Sequence, residues 1–336
     1  MADYININGN NIPIRASDPS NPILGEIWYN STTNLLKGQG LGTAAWATGT
    51  NYPLTVYDAT GFGTPTAAII MGGSAPPTIS TVNTYDGSSW ASATSLPATN
   101  SGADSDGPQT AGLFVGGTDQ TANYDWNGST WSANPTLPVG RSGHATVGGA
   151  AVQTAALAIS GEGGAGAQTS TSSWDGSTWT VGAAIPGWAQ GTSGGGTTAA
   201  AFVNGNVGDG DETSDYDGTS WSAGNNSNHQ HNYGGAGGLA TNGITFGGVQ
   251  VPNPGARTAQ AETYDGTCWT TSASMSVARS NAHGKATVNG ATSSLCATGN
   301  AAPGRTNATE NFTGAGPATQ TISSSYIDFI FIKVIP

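Results

Sequence analysis

The chain has 336 residues with 8 Lys+Arg against 20 Asp+Glu, a formal net charge of −12, and 52 of its positions are glycine. So few cations exclude nucleic acid as a partner, because phosphate neutralisation needs clustered positive charge; the lack of any run of 18 apolar residues gives no transmembrane helix. Low charge with abundant Gly, Ser, Thr and Asn would suit disorder, but regularly spaced tryptophans and short apolar runs argue for a folded, turn-rich, all-β protein.

In chain order, the N-terminus Met1-Ala-Asp-Tyr-Ile-Asn-Ile7 lacks the basic and apolar regions of a secretory leader, so none is expected. Residues 1–39 share no pattern with the rest of the chain and read as an N-terminal arm. Within it, Gly25-Glu-Ile-Trp-Tyr-Asn-Ser-Thr-Thr-Asn-Leu-Leu-Lys-Gly38 reads as strand, polar turn and strand.

From residue 40 the chain repeats. Trp46, Trp90, Trp131, Trp179, Trp221 and Trp269 lie 44, 41, 48, 42 and 48 residues apart. Most end one phrase: Tyr85-Asp-Gly-Ser-Ser-Trp90, Trp126-Asn-Gly-Ser-Thr-Trp131, Trp174-Asp-Gly-Ser-Thr-Trp179, Tyr216-Asp-Gly-Thr-Ser-Trp221 and Tyr264-Asp-Gly-Thr-Cys-Trp269. A period of forty-odd residues belongs to propellers and solenoids. The third unit predicts four strands: a small-residue strand from Gly143 (a), the apolar run from Ala155 (b), then Ser172–Asp175 (c) and Thr178–Val181 (d). Asp-Gly between c and d predicts a type I′ hairpin turn. The small and β-branched residues of strand b suit crowding near a propeller axis, and the tryptophan with the aromatic five residues before it is expected to fill the wedge between blades. The last unit has strand b at 294–299 and a strand-c remnant ending at Phe312, but Pro317 stands where its tryptophan belongs. The Trp46 strand therefore completes it. The expectation is an all-β, six-bladed β-propeller over 40–317, closed by an N-terminal strand, which removes exposed sheet edges.

Leu137-Pro-Val-Gly-Arg141 through Trp179, and less fully Met275-Ser-Val-Ala-Arg279, resemble kelch repeats. Gly143-His144 with Trp174-Asp175 imitates a WD repeat in one unit alone, and Ser173–Trp179 lacks one residue of a sialidase Asp-box. The 25–38 phrase resembles a hairpin found in tail-fibre and other structural proteins of tailed bacteriophages. That resemblance implies a non-enzymatic virion protein, a tail fibre or surface adhesin, assembled in the host and released by lysis. It implies virion partners through the arm and the C-terminal tail, a host-surface glycan or protein as target, several copies or a homo-oligomer, and no cofactor. Capsid decoration or tail assembly without a receptor role is one alternative; a sialidase-like propeller enzyme is another.

Residues 318–336 form the tail, in which Tyr326-Ile-Asp-Phe-Ile-Phe-Ile-Lys-Val-Ile-Pro336 is the most hydrophobic stretch. It would dock either on its own propeller or on a neighbour.

The candidate site residues fall where the repeat is broken. Long b–c and d–a connections share one face, the expected binding face. Trp188 and Tyr233 lie there and could stack on sugar rings. His229-x-His231 would place two imidazoles on one face of a strand, with His144 or His283 across the channel mouth, yet no carboxylate or cysteine spacing supports a metal. Arg141 and Arg279, ten residues after their tryptophans, read as donors to loop carbonyls before ligands. Asp209–Asp215 reads as a solvated acidic loop, and Cys268 and Cys296 as two buried thiols. No acid–base pair or activated nucleophile stands out.

Overall fold

The structure is a computed structural model that describes residues 12–164, 166–186, 193–205, 210–250, 256–282, 285–286 and 289–322. Contacts divide the chain into two compact units, residues 44–314 and residues 1–43 with 315–336.

The larger unit is a β-propeller of six four-stranded antiparallel sheets. They are Thr60–Thr64, Ala67–Met71, Val82–Tyr85 and Trp90–Ala93; Ala103–Asp106, Gly112–Gly116, Asn123–Trp126 and Trp131–Ala133; Ala145–Val147, Ala156–Ile159, Ser170–Trp174 and Trp179–Ala184; Ser193–Gly196, Ala201–Asn204, Thr213–Tyr216 and Trp221–Ala223; Gly235–Leu239, Asn242–Phe246, Ala261–Tyr264 and Trp269–Thr271; and Lys285–Ala286, Ser293–Ala297 and Thr309–Thr313. The sixth sheet takes its outer strand, Ala45–Thr48, from the start of the unit, with Phe312 opposite Trp46. The first strand of each sheet touches the first strand of the next, and the sixth touches the first. A separate apolar cluster fills each space between neighbouring sheets, from Phe62, Ile69 and Phe114 between the first two to Tyr52, Ala68, Ile70 and Leu295 between sixth and first.

Crowding at the axis falls on the innermost strands, not on strand b as expected. A Cβ on Gly195 would lie 2.5 Å from the Gly237 carbonyl carbon, so those two inner strands meet backbone to backbone. Strand b, one layer out, has room for Ile69, Phe114, Leu157, Phe202 and Leu295, all buried.

The repeated tryptophans also depart from expectation. The aromatic five residues earlier is the deeply buried one, as with Trp126, Trp174, Tyr85 and Tyr264, while Trp46, Trp90, Trp131, Trp179 and Trp221 are only half-buried. Strand pairing sets the two rings side by side, with centroids 4.6 Å apart for Tyr85 and Trp90 and 4.9 Å for Trp126 and Trp131. Four indole N–H groups then donate to the preceding sheet or the residue just beyond it: Trp90 to the Thr50 carbonyl, Trp131 to the Thr94 carbonyl, Trp221 to Thr171 Oγ1 and Trp269 to Thr213 Oγ1. These tryptophans tie sheets together from the rim; the wedge is filled by the residues they lie on.

The c–d turns are hairpins of a different type. Tyr85 pairs with Trp90, leaving four residues in the loop, and of Asp86 and Gly87 only Gly87 has a positive φ. A type I′ turn would need both. Instead the Asp86 carboxylate accepts from the backbone N–H of Ser88 and of Ser89. Asp175, Asp217 and Asp265 do the same, and Asn127 does it with an amide oxygen. Of the cysteines, Cys296 is buried but Cys268 is exposed in such a loop; both are free.

The smaller unit is built from both ends of the chain. Its sheet joins Ile14–Arg15, Ile27–Asn30, Leu35–Leu41 and Pro317–Thr321 in that order. The first residues of the tail pair with the arm, Lys37 facing Thr321 and Leu41 facing Pro317. The Ile/Phe-rich run 326–336 lies outside the described residues.

Gly195→Ala should destabilise the propeller by about 1–3 kcal/mol through overpacking, whereas Gly304→Ala, with nothing within 4 Å of its Cβ, should stay within about 0.5 kcal/mol; urea unfolding compares them. Hydrogen bonds from the following backbone N–H groups hold the Asp86, Asp175, Asp217 and Asp265 carboxyls below their ordinary value. A lowered folded pKa stabilises above the unfolded value of about 4 and is lost as pH falls through the folded one. Replacing all four by Asn should lower the melting temperature at neutral pH, the gap from the parent closing towards pH 2; a gap independent of pH would refute this.

Candidate functional site

Ten residues after Trp46, Trp90, Trp131, Trp221 and Trp269 the chain turns inward towards the axis, and the side chain there meets the end of strand b. Arg141 is fully buried and donates through Nη1 to the carbonyls of Ala158, Ser160 and Ser170, and through Nη2 to Ser172 Oγ. Burial pulls its pKa down to about 10, which leaves it cationic at neutral pH. Arg279, equally buried, donates to the Thr298 and Ala308 carbonyls and pairs with Glu310. His231 takes the same place in the fifth sheet, its Nδ1 2.8 Å from the Gly247 carbonyl and its Nε2 3.1 Å from Glu262 Oε2. Burial alone pushes the Glu262 carboxyl up, but hydrogen bonds from His231, Asn228 and the His229 N–H bring it down to about 2. Asn100 donates to the Gly116 carbonyl from the corresponding position, and Val56 is simply apolar there. Arg141, Arg279 and His231 are therefore ties inside the propeller, out of reach of a ligand. Glu262 and Glu310, which complete two of these ties, do not stand out in the sequence; both lie two residues before the strand-c aromatic, a register that alternation along the strand could reveal.

Two residues further on lies the axial mouth of the b–c and d–a face. Asp58, Gly102, Gly143, Tyr233 and Asn281 occupy equivalent positions there, all with φ between 52° and 68°. Their backbones bond from sheet to sheet: Gly102 N–H to the Asp58 carbonyl, Gly143 N–H to the Gly102 carbonyl, and Asn281 N–H to the Tyr233 carbonyl. Asn281 Nδ2 reaches Asp58 Oδ1 at 2.6 Å, joining the sixth position to the first. Because left-handed backbone is costly for a non-glycine residue, Asp58, Tyr233 and Asn281 hold their side chains at this rim at that cost. Tyr233 is half-buried, and burial first, then Glu162 and Asp58, push its hydroxyl pKa up.

The opposite mouth, on the side of the a–b and c–d turns, opens a cavity of about 360 Å³ between Ser105, Asp106, Thr146, Thr197, Gly238 and Leu239, among others. Asp106 Oδ2 accepts from the Gly148 and Gly149 N–H groups, tying the second inner strand to the third, and Asp104 Oδ2 accepts from Thr146 N–H.

Of the residues singled out in the sequence, Tyr233 stands at the rim, while Trp188 and His283 lie outside the described residues. His229 and His231 are in a loop, not a strand; both approach Glu262, His229 Nδ1 at 3.6 Å. His144 is buried, with Nε2 3.2 Å from Thr146 Oγ1. Among the described residues no group of three His, Cys, Asp or Glu is placed to hold a metal. Asp215 is not part of a solvated loop: it sits in strand c of the fourth sheet and accepts the Tyr264 hydroxyl at 2.9 Å, bridging two sheets.

No protein-family description matches this sequence, and no curated protein does. Among solved structures, one titled "Structure of YjhT" is similar with a TM-score of 0.64 and 14% identity, over 81% of this chain and 99% of that one. At this identity the likeness shows the fold, a β-propeller.

The buried Arg279–Glu310 pair allows a stability test. Glu310→Ala should cost about 3–5 kcal/mol, because it strands a buried cation, while the double change Arg279→Met with Glu310→Leu should recover most of that. Urea unfolding of Arg279→Met, Glu310→Leu and the double variant closes a double-mutant cycle; a double-variant loss equal to the sum of the two single losses would mean the pair is not coupled.

Proposed function

We propose that this chain is a non-enzymatic binding propeller, a virion structural protein of a tailed bacteriophage that serves as tail fibre or surface adhesin and takes a host-surface glycan at the axial rim of the b–c and d–a face. Tyr233 carries this reading: a half-buried aromatic held in left-handed backbone beside the Asp58–Asn281 pair. An aromatic face stacks on the apolar face of a sugar ring, and neighbouring carboxylate and amide groups take its hydroxyls. The kelch-like order of the repeat and the phage-type 25–38 phrase support the virion assignment, and display in several copies would turn weak single contacts into useful avidity.

A binding rather than a catalytic role is favoured by how the buried acids are used. Glu262 and Glu310 are bound to His231, Arg279 and backbone N–H groups, and Asp104 to an inner strand. A general acid or base needs a proton it can exchange with substrate.

Tyr233→Gly is the informative variant, since glycine keeps φ near 56° without strain and removes only the ring. The protein should bind host envelope or a glycan array, and the variant should lose at least tenfold in affinity with its melting temperature unchanged or raised. Envelope binding unaffected by the change would reject the rim as the site; glycan turnover would reject the non-enzymatic reading.

A further inference from the structure

The chain contains five Asn-Gly pairs, beginning at Asn8, Asn127, Asn204, Asn242 and Asn289. In such a pair the glycine backbone nitrogen can attack the preceding side-chain amide. It loses its proton to water and bonds to Cγ, the Cγ–Nδ2 bond breaks, and ammonia leaves. Water then opens the cyclic imide, at Cγ to give aspartate or at the main-chain carbonyl carbon to give isoaspartate. The sum is amide plus water going to carboxylate plus ammonium. Closure is intramolecular, and glycine favours it because no Cβ shields the nitrogen. What the fold does to each pair decides where the reaction runs.

Asn8 lies outside the described residues. Asn204 is buried, and its Nδ2 donates to the Asp211 and Glu212 carbonyls, Thr213 Oγ1 and Ser227 Oγ. Gly243 lies inside a strand paired on both sides. Gly290 is buried, with no room for a Cβ beside the Asn242 carbonyl oxygen. Among the described pairs, only at Asn127 are both residues exposed. There Oδ1 accepts from Ser129 N–H at 3.0 Å, Ser129 Oγ at 2.9 Å and Thr130 N–H at 2.9 Å. Donors so placed polarise the amide and hold the negative charge that Oδ1 takes up when Gly128 N adds. The backbone bond of this turn runs from Asn127 N–H to the Thr130 carbonyl and leaves the Gly128 N–H to solvent.

The sister turns show what the product meets. Asp86, Asp175, Asp217 and Asp265 stand at the same place, each carboxylate accepting from the same two following N–H groups. An aspartate at 127 would displace one bond only, from Asn127 Nδ2 to Thr130 Oγ1. That bond has a ready replacement of opposite sense: Ser89 Oγ donates to Asp86 Oδ2, Thr178 Oγ1 to Asp175 Oδ2 and Ser220 Oγ to Asp217 Oδ2. Isoaspartate would instead put an extra methylene into the backbone of a short loop whose ends, Trp126 and Trp131, are paired.

We propose that Asn127 is a site of spontaneous deamidation in the native protein, and that the fold accepts the aspartyl product as a copy of its four acidic sister turns. Full-length protein is held at mildly alkaline pH, native or unfolded in urea, and mapped by mass spectrometry. In the native chain the acid should accumulate at 127 while 204, 242 and 289 stay amide; in urea all four should convert. The aspartyl share at 127 should be higher in the native chain than in urea. On anion exchange the product should shift by one negative charge and co-elute with Asn127→Asp. That variant should melt at or above the parent at neutral pH. Its sisters' carboxyls are held below their ordinary value, so the gain is present above the unfolded value of about 4 and lost as pH falls through the folded one. An amide at 127 that persists in the native chain while it converts in urea overturns the proposal. So does an Asn127→Asp variant that melts below the parent at neutral pH. Neither result depends on whether the rim binds glycan.

Discussion

The propeller depends on one recurring backbone contact, made where strand b ends. At that point the chain needs two successive residues in left-handed conformation: Gly72 and Gly73, Gly116 and Gly117, Ser160 and Gly161, Gly247 and Gly248, Thr298 and Gly299. The second N–H then donates to the carbonyl of the residue ten past the next tryptophan, from Gly73 to Asn100, Gly117 to Arg141, Gly248 to Arg279 and Gly299 to Val56. The last of these joins the sixth sheet to the first. At three of the five pairs the first residue must be glycine, because that carbonyl oxygen lies 2.4–2.6 Å from where a Cβ on Gly72, Gly116 or Gly247 would stand, whereas Ser160 and Thr298 carry a side chain there. Ring closure is thus enforced twice, by this contact near the axis and by the Phe312–Trp46 strand pair further out.

Fixing the carbonyl also fixes what its own side chain can do. A residue so placed points back at the last carbonyls of strand b and at strand c, a region closed to water whose acceptors must be satisfied. Arginine solves this with several donors at once, which is why Arg141 can be fully buried without an acid: four oxygens share its guanidinium. Arg279 uses Glu310 in place of one neutral acceptor, and His231 with Glu262 is a shorter version of the same tie. A chain with few charges keeps several of them indoors, and its surface is left to hydroxyls and amides.

How much of this the sequence discloses depends on the kind of constraint. The tryptophan period, the c–d hairpins and the completion of the sixth sheet by the Trp46 strand are legible because each leaves a residue type at a fixed spacing. Burial within the aromatic pair is not, since Tyr85 and Trp90 are equally apolar and only their depth separates them. The turn type misleads because Asp-Gly serves two geometries, told apart by whether the aspartate's own φ is positive. Glu262 and Glu310 stay hidden because glutamate in a strand reads as a solvent-facing residue until its partner, some thirty positions away, is known. The arm–tail sheet joins positions about 280 apart, beyond the reach of any local pattern.

The rim positions show why a candidate binding site can hide inside so regular a repeat. Twelve residues past Trp46, Trp90, Trp131, Trp221 and Trp269 the structural work is done by backbone: a left-handed turn and hydrogen bonds between neighbouring sheets. Glycine meets that demand at least strain, and Gly102 and Gly143 do so. Asp58, Tyr233 and Asn281 meet it at a cost, and Asn281 returns part of it through Asp58. Tyr233 has no such bond among those described, and a large aromatic is poorly suited to φ > 0. Scaffold demands therefore account for the turn but not for the tyrosine, which is best understood through what meets it at the rim.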